Sequence, residues 1–240
     1  MSDVALTLPD PATKAAAVRS MFDRIAPHYE RLNTILTFGL DRGWRRAAIA
    51  AAGVGPGDLV VDVACGTGGL AALATAAGAR VIGIDVARAM LVRARGRAAA
   101  LVLADAAALP VRAGAADAVT CGFALRNVVA IPALLAEAAR VLRPGGRLVL
   151  LEVAVPPGAL RKWGHRLYFH HLVPLLGAVL ADREAYAYLP ASTAYLPPAH
   201  ALHRLIEAAG FAGVYRHLLG GGSVQLVAAS RRTADEGRAA

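Results

Sequence analysis

Three acids and a cluster of glycines fall at the ends of four short apolar runs in this chain. The first run, Leu59-Val60-Val61-Asp62-Val63, is rich in β-branched residues, as expected of a strand buried on both faces of a parallel sheet. It leads into Ala64-Cys65-Gly66-Thr67-Gly68-Gly69-Leu70, where glycines allow close approach of backbone to a ligand and, if the turn needs it, positive φ. The second run, Arg80–Asp85, ends in an acid about 20 residues beyond the glycines, the separation at which a carboxylate reaches a ribose hydroxyl pair. The third, Leu101–Leu103, is followed by Ala104-Asp105-Ala106, and the fourth, Asp117–Gly122, by Phe123-Ala124-Leu125-Arg126-Asn127.

The glycine loop fits the dinucleotide fingerprint only loosely, and the Lys-Ser/Thr of a phosphate-binding loop is absent. Asp62 is awkward beside a pyrophosphate and natural beside a ligand with positive charge. The stretch Asp62-x-Ala64-Cys65-Gly66-Thr67-Gly68-Gly69 resembles motif I of the S-adenosylmethionine-dependent methyltransferases, whose cofactor carries an ammonium and a sulfonium. On that resemblance, Asp85 accepts from both ribose hydroxyls and Asp105 from the adenine amine, with the Ala106 N–H facing a ring nitrogen. Asp62 and the Gly66 and Gly68 backbone face the methionine half. The competing reading of either later acid is a helix N-cap following a strand.

Alternation of strands and helices from Asp58 to Val153 predicts a Rossmann-like α/β fold. Its sheet is expected to be seven-stranded and mostly parallel, with helices on both faces and ligands beyond the carboxyl ends of the strands. Residues 1–52 form a disordered lead-in and an N-terminal helical region, interrupted at Pro27, that covers the cofactor site. Residues 53–155 form the cofactor-binding core, with helices over Leu70–Ala77, Ala87–Arg97 and Ile131–Leu142 and a fifth strand over Arg147–Val153. Residues 156–198, aromatic and apolar, form a helical lid over a substrate pocket. Residues 199–230 add a helix and a strand pair that complete the sheet, and 231–240 form a disordered tail.

A formal charge of +9 invites a nucleic-acid reading, but the basic residues are scattered arginines with only Lys14 and Lys162 as lysines, and aromatic residues are few. A solvated basic surface is expected first, a weakly membrane-attracted one second. No apolar run approaches the ~20 residues of a spanning helix, and residues 1–10 lack a signal-peptide pattern. The two cysteines have no paired spacing and are expected to be inert buried thiols in a reducing compartment. The expected location is cytoplasmic, with peripheral contact at the inner face of the membrane.

Arg126 and Asn127 suit stabilising an oxyanion such as a phenolate, because one is a permanent cation and the other a two-way hydrogen bonder. The alternative is that Arg126 pairs structurally with Glu152. From Met21 to Leu226 the chain resembles the ubiquinone/menaquinone biosynthesis C-methyltransferases, which methylate a prenylated quinol ring. The resemblance rests on Tyr29-Glu30-Arg31-Leu32-Asn33 with Trp44, on Leu125-Arg126-Asn127-Val128, on Arg140–Gly146 with Glu152, and on Tyr168, His171, Pro174, Tyr186, Tyr188, Leu189 and Ser192.

The resemblance implies S-adenosyl-L-methionine as cofactor, held by Tyr29, Asp62, Gly66, Thr67, Gly68, Asp85, Asp105, Ala106 and Gly122. The catalytic positions are Arg126, Asn127, His171 and Tyr186, with no metal. Glu30, Asp41, Gly122 and Ala154 depart from the family pattern, which leaves a phenol or polyketide substrate, or a cofactor-binding cyclase that transfers no methyl, as alternatives. The expected partners are a hydrophobic quinol or phenolic substrate, a membrane surface and a second copy of the chain in a homodimer, with no nucleic acid.

Overall fold

The computed structural model describes residues 11–158, 188 and 191–233. Seven strands form one sheet in the order β3-β2-β1-β4-β5-β7-β6, with β1 Leu59–Val63, β2 Arg80–Asp85, β3 Ala100–Leu103, β4 Ala116–Gly122, β5 Leu142–Val153, β6 Phe211–Leu219 and β7 Val224–Arg231. The first five run parallel, and β7 enters antiparallel between β5 and β6. The strand order reverses between β1 and β4, which neighbour each other although β2 and β3 separate them in sequence. Such a reversal opens a crevice at the carboxyl ends, where ligands bind in open α/β sheets.

Both faces of the sheet are covered, which explains why its strands read as apolar runs instead of alternating ones. On one face Val61, Val63, Leu148 and Leu150 pack with α6 (Ile131–Val141) and α7 (Ala199–Ala208). On the other, Val60, Val149 and Leu151 pack with α3 (Asp41–Ala52) and α4 (Gly69–Ala76). A third cluster joins α1 (Pro11–Ile25) and α2 (Tyr29–Leu36) to α5 (Arg88–Arg93) through Val18, Met21, Ile25, Leu32 and Met90. This last cluster lays the N-terminal helices across the strand tips.

Helix α5 and strand β5 differ most from the sequence-based expectation, and β7 runs on through Arg231, the first residue of the expected disordered tail, because Arg231 pairs with Phe211. Helix α5 stops at Arg93 instead of Arg97, because Gly96 takes φ +78 and the chain turns back so that Arg97 reaches the glycine loop. Strand β5 begins at Leu142, which pairs with Ala116 before a register shift at Ala116/Ala118. The Arg143-Pro144-Gly145-Gly146 turn therefore bulges out of a continuing strand. A Cβ on Gly146 would lie 2.9 Å from the Arg143 carbonyl oxygen, which only glycine avoids. The expected lid over 156–198 lies mostly outside the described residues, as do residues 1–10 and 234–240.

Phe211 at the start of β6 is fully buried in the cluster with α6 and α7. Phe211→Ala is expected to lower the unfolding free energy by about 3–5 kcal/mol, read as a reduced urea midpoint at unchanged slope.

Candidate active site

A cavity of about 620 Å³ opens at the strand tips, a size that suits a nucleoside cofactor together with a ring-sized substrate. One wall comes from the ends of the parallel strands: Ala64 and Gly66 after β1, Asp85 and Val86 after β2, Ala104–Ala107 after β3, Gly122–Ala124 after β4. The opposite wall is α1 and the start of α2, through Val18, Arg19, Phe22 and Tyr29. Asn127 and Val128 close one end.

The backbone at the tips of β1 and β4 is strained. Ala64 has φ +51 and Phe123 φ +57, left-handed values that cost a non-glycine residue about 1–3 kcal/mol. Both residues line the cavity, and Phe123 is supported by Trp44, whose ring centroid lies 6.3 Å away. Nothing in the residue types announces this, and sequence reasoning passed over both.

The acids divide into two kinds. Asp62 lies on β1 facing α3 and α4, is 1% exposed, and is not part of the cavity wall. Its Oδ2 accepts from the Ala71 N–H at 3.1 Å and its Oδ1 from the Thr120 hydroxyl at 2.7 Å. Because Gly68 precedes α4 without a capping side chain, Asp62 supplies from the strand the acceptor that the helix start lacks. Burial pushes its carboxyl up to about 7, with Asp85 adding to the shift and the two hydrogen bonds opposing it.

Asp85 lines the cavity and also ties the loops together. Its Oδ2 accepts from the Gly66 N–H and its Oδ1 from the Ala87 N–H, each at 2.8 Å. Burial raises its pKa against the pull of these backbone donors. The capping role and the ligand-facing position therefore coexist, since each carboxylate oxygen retains a second lone pair. Asp105 is exposed at the rim, with Oδ1 accepting from the Ala107 N–H at 2.8 Å, and Ala106 stands beside it on the wall.

Of the remaining glycine-loop positions, Gly66 reaches the cavity and Thr67 and Gly68 stand behind it. The Thr67 carbonyl accepts from Arg97 Nη1 at 3.0 Å, and Arg97 pairs with Glu30 on α2. That pair holds Glu30 well below the usual carboxylate range through the Arg97 hydrogen bond. Glu30, a departure from the family pattern, thus latches α2 to the loop. Gly122 lines the wall and accommodates Leu70, whose Cδ1 would lie 2.7 Å from a Cβ there.

Arg126 is buried, and its Nη1 pairs with Glu152 Oε1 while its backbone N–H donates to Glu152 Oε2 at 3.2 Å. The pairing foreseen as the structural alternative is present. Arg126 is not part of the cavity wall, and its Nε has no hydrogen-bond partner among the described residues. Asn127 does line the cavity, with Oδ1 and Nδ2 both buried and, among the described residues, without a partner. Buried polar atoms are satisfied in the great majority of cases, so this amide is an exception beside the cavity. His171 and Tyr186 lie outside the described residues. The thiols of Cys65 and Cys121 are free and buried, and burial pushes both upward.

The profile of the ubiE/COQ5 methyltransferase family matches residues 11–231. The chain belongs to that family. A demethylmenaquinone methyltransferase of Roseiflexus castenholzii is 42% identical over 226 residues, which cover 91% of this chain and 95% of the relative. One of Deinococcus radiodurans is 43% identical over 218 residues, covering 87% and 90%. The fold is that of the S-adenosylmethionine-dependent methyltransferases: one from Thermotoga maritima superposes with a TM-score of 0.62 at 18% identity, covering 90% of this chain and all of the other. Magnesium protoporphyrin IX methyltransferase of Synechocystis, with bound S-adenosylhomocysteine, gives 0.61 at 20% identity, covering 91% and 99%.

With its pKa near 7 in the native state and near 4 when unfolded, Asp62 binds a proton more tightly in the folded protein. The stability this contributes is fully present below about pH 4 and is lost as pH rises through about 7. Asp62→Asn keeps an acceptor for Ala71 and a donor for Thr120 but cannot ionise. Its stability advantage over the parent protein should therefore widen by up to about 4 kcal/mol between pH 4 and pH 8. Parallel urea-midpoint curves for the two proteins would show that folding leaves the Asp62 carboxyl at its ordinary pKa.

Proposed function

We propose that this chain is an S-adenosylmethionine-dependent C-methyltransferase acting on the ring of a demethylated, prenylated quinol, as in menaquinone synthesis. The observation that carries the reading is the cavity itself: Asp85 and Asp105 stand at adjacent strand tips, and Asn127, whose buried amide has no partner among the described residues, stands at one end. Relatives about 42% identical over nearly their whole length, all named demethylmenaquinone methyltransferases, support the choice of substrate.

Asp85, Asp105 and the Gly66 backbone are placed to hold a nucleoside, and Tyr29 and Phe22 to cover it. Bound there, S-adenosylmethionine supplies an electrophilic methyl on a cationic sulfur. Asn127 Nδ2 donates to the quinol oxygen as it gains charge, which raises electron density on the adjacent ring carbon. Arg126, whose charge is matched by Glu152, acts by fixing the turn that carries Asn127. The hydroxyl proton leaves to water or to His171 or Tyr186, the ring carbon takes the methyl as S-adenosylhomocysteine departs, and the hydrogen on that carbon then leaves as a proton while the oxygen is reprotonated, which restores the aromatic ring. Helix α1, lying over the cavity, limits access of bulk water.

A prenylated substrate resides in a bilayer, and the turn between α2 and α3 suits contact with one. Ile35, Phe38 and Leu40 are exposed there, Phe38 to 77%, beside exposed Arg31, Arg42 and Arg46. Apolar side chains inside a basic rim match an anionic membrane surface. Among the described residues no helix is long and apolar enough to cross a membrane.

Incubation with S-adenosylmethionine and a short-chain demethylated naphthoquinol should release S-adenosylhomocysteine and a ring-methylated product; cofactor binding without turnover would overturn the reading. Asn127→Ala should lower kcat on the order of 100-fold while the calorimetric Kd for S-adenosylhomocysteine stays within about 2-fold. In flotation with phosphatidylglycerol vesicles, Phe38→Asp should release protein that the parent sequence retains.

A further inference from the structure

Helix α1 is fastened at two points, and the two fastenings lie at opposite ends of the cavity. Near its start, Lys14 is 4% exposed, and its ammonium donates to the carbonyl oxygens of Arg126 and Val128, each at 3.0 Å. Its Nζ also sits 3.6 Å from the centroid of the Tyr195 ring. Among the described residues no carboxylate pairs with it. Near the other end of α1, Asp23 Oδ1 accepts from the Ala89 N–H at 2.8 Å and so caps the start of α5.

The carbonyls that Lys14 holds belong to the residues on either side of Asn127. The Asn127 N–H donates to the Ala124 carbonyl at 2.8 Å, so the backbone around this residue is fixed on every side. Asn127 belongs to the cavity wall, and its amide is buried there with no hydrogen-bond partner among the described residues. A buried ammonium with neutral acceptors is an expensive way to anchor a helix, because a charge leaves water without a counter-ion. An apolar side chain at this position would bury α1 without that cost. What the ammonium adds is a pair of charge-assisted hydrogen bonds that set the position of one short turn.

We propose that Lys14 is a positioning residue for the methyl-transfer reaction, orienting the Asn127 amide toward the substrate oxygen, and that Asp23 at the far end of α1 serves the cofactor instead. The assignment rests on the function proposed above. Helix α1 then acts as a clamp whose two ends answer to two different ligands: Lys14 fixes the turn that meets the ring, and Asp23 fixes α5 behind Asp85, Val86 and Met90. Tyr195 lies near the end of the 156–198 stretch, so the same ammonium connects α1, the Asn127 turn and the last residues of that stretch.

The test compares Lys14→Met, Lys14→Arg and Asp23→Ala with the parent protein. Lys14→Met should lower kcat for the short-chain naphthoquinol by about 10-fold or more while the calorimetric Kd for S-adenosylhomocysteine changes by less than about 3-fold. Lys14→Arg, which keeps charge, donors and a group that stacks on Tyr195, should recover most of the loss. Asp23→Ala should show the reverse ratio, losing more in cofactor affinity than in kcat. Hydrogen exchange of the S-adenosylhomocysteine-bound proteins gives an arm that needs no substrate: Lys14→Met should accelerate amides at 125–128 and not at 85–90, and Asp23→Ala the converse. Equal losses in both ratios, failure of Lys14→Met to bind S-adenosylhomocysteine, or unchanged exchange at 125–128 would overturn the proposal. A parent protein that binds cofactor but gives no turnover, with the exchange pattern intact, would instead count against the proposed substrate.

Discussion

Helices α4 and α5 both begin at residues that carry no capping side chain, Gly68 and Ala87, and the cavity is organised by how that lack is made good. The first amides of a helix have no intrahelical acceptor and carry a partial positive charge. Here the acceptors come from elsewhere in the chain: Asp62 on β1 for α4, Asp85 and Asp23 for the start of α5. Each carboxylate therefore does in one bond what a local cap does and also joins two elements that the sequence separates. The Gly66 N–H bound to Asp85 adds the link between the glycine loop and the tip of β2. Loosening any of these carboxylates moves the wall that a ligand meets.

Around Asn127 the chain concentrates buried charge. Arg126 with Glu152 and Lys14 with two carbonyls place two cations within three residues of the same amide. Removing one member of a buried ion pair costs about 3–5 kcal/mol, since the other is left without compensation, so this region is held far more firmly than packing of a short 3-10 turn would require. Glu152 matches the charge of Arg126, so the cation left without a carboxylate partner among the described residues is Lys14. The two thiols nearby in the sheet are buried, and that burial disfavours their thiolate forms.

Much of this was legible in the residues. The boundaries of β2 were recovered without error, since Arg80 and Asp85 bracket an apolar run, and the acids at 85 and 105 were placed at strand tips by spacing alone. Asp62 was harder: a carboxylate in an apolar strand reads equally well as facing a cationic ligand or as capping a helix, and only the register Asp62↔Thr120 shows what it touches. Arg126 looked like the group that meets substrate, yet Asn127 is the one on the wall; neighbours in a 3-10 turn point in different directions, and no sequence pattern says which points inward. Lys14 stands out in the sequence only as one of two lysines. Its acceptors lie 112 and 114 residues away, a separation at which local pattern carries no information.

The placement of β7 has a consequence for how the chain is made. It follows β6 in sequence but lies inside it, pairing along β5 from Arg147 to Val153. While the polypeptide emerges from the ribosome, β5 presents a bare edge until residues 224–231 have appeared, some seventy positions after β5 itself is complete. Pairing so distant in sequence is slow, and exposed edges recruit other chains. Nascent copies of this protein thus spend their most vulnerable interval with the sheet open along the strand that carries Glu152.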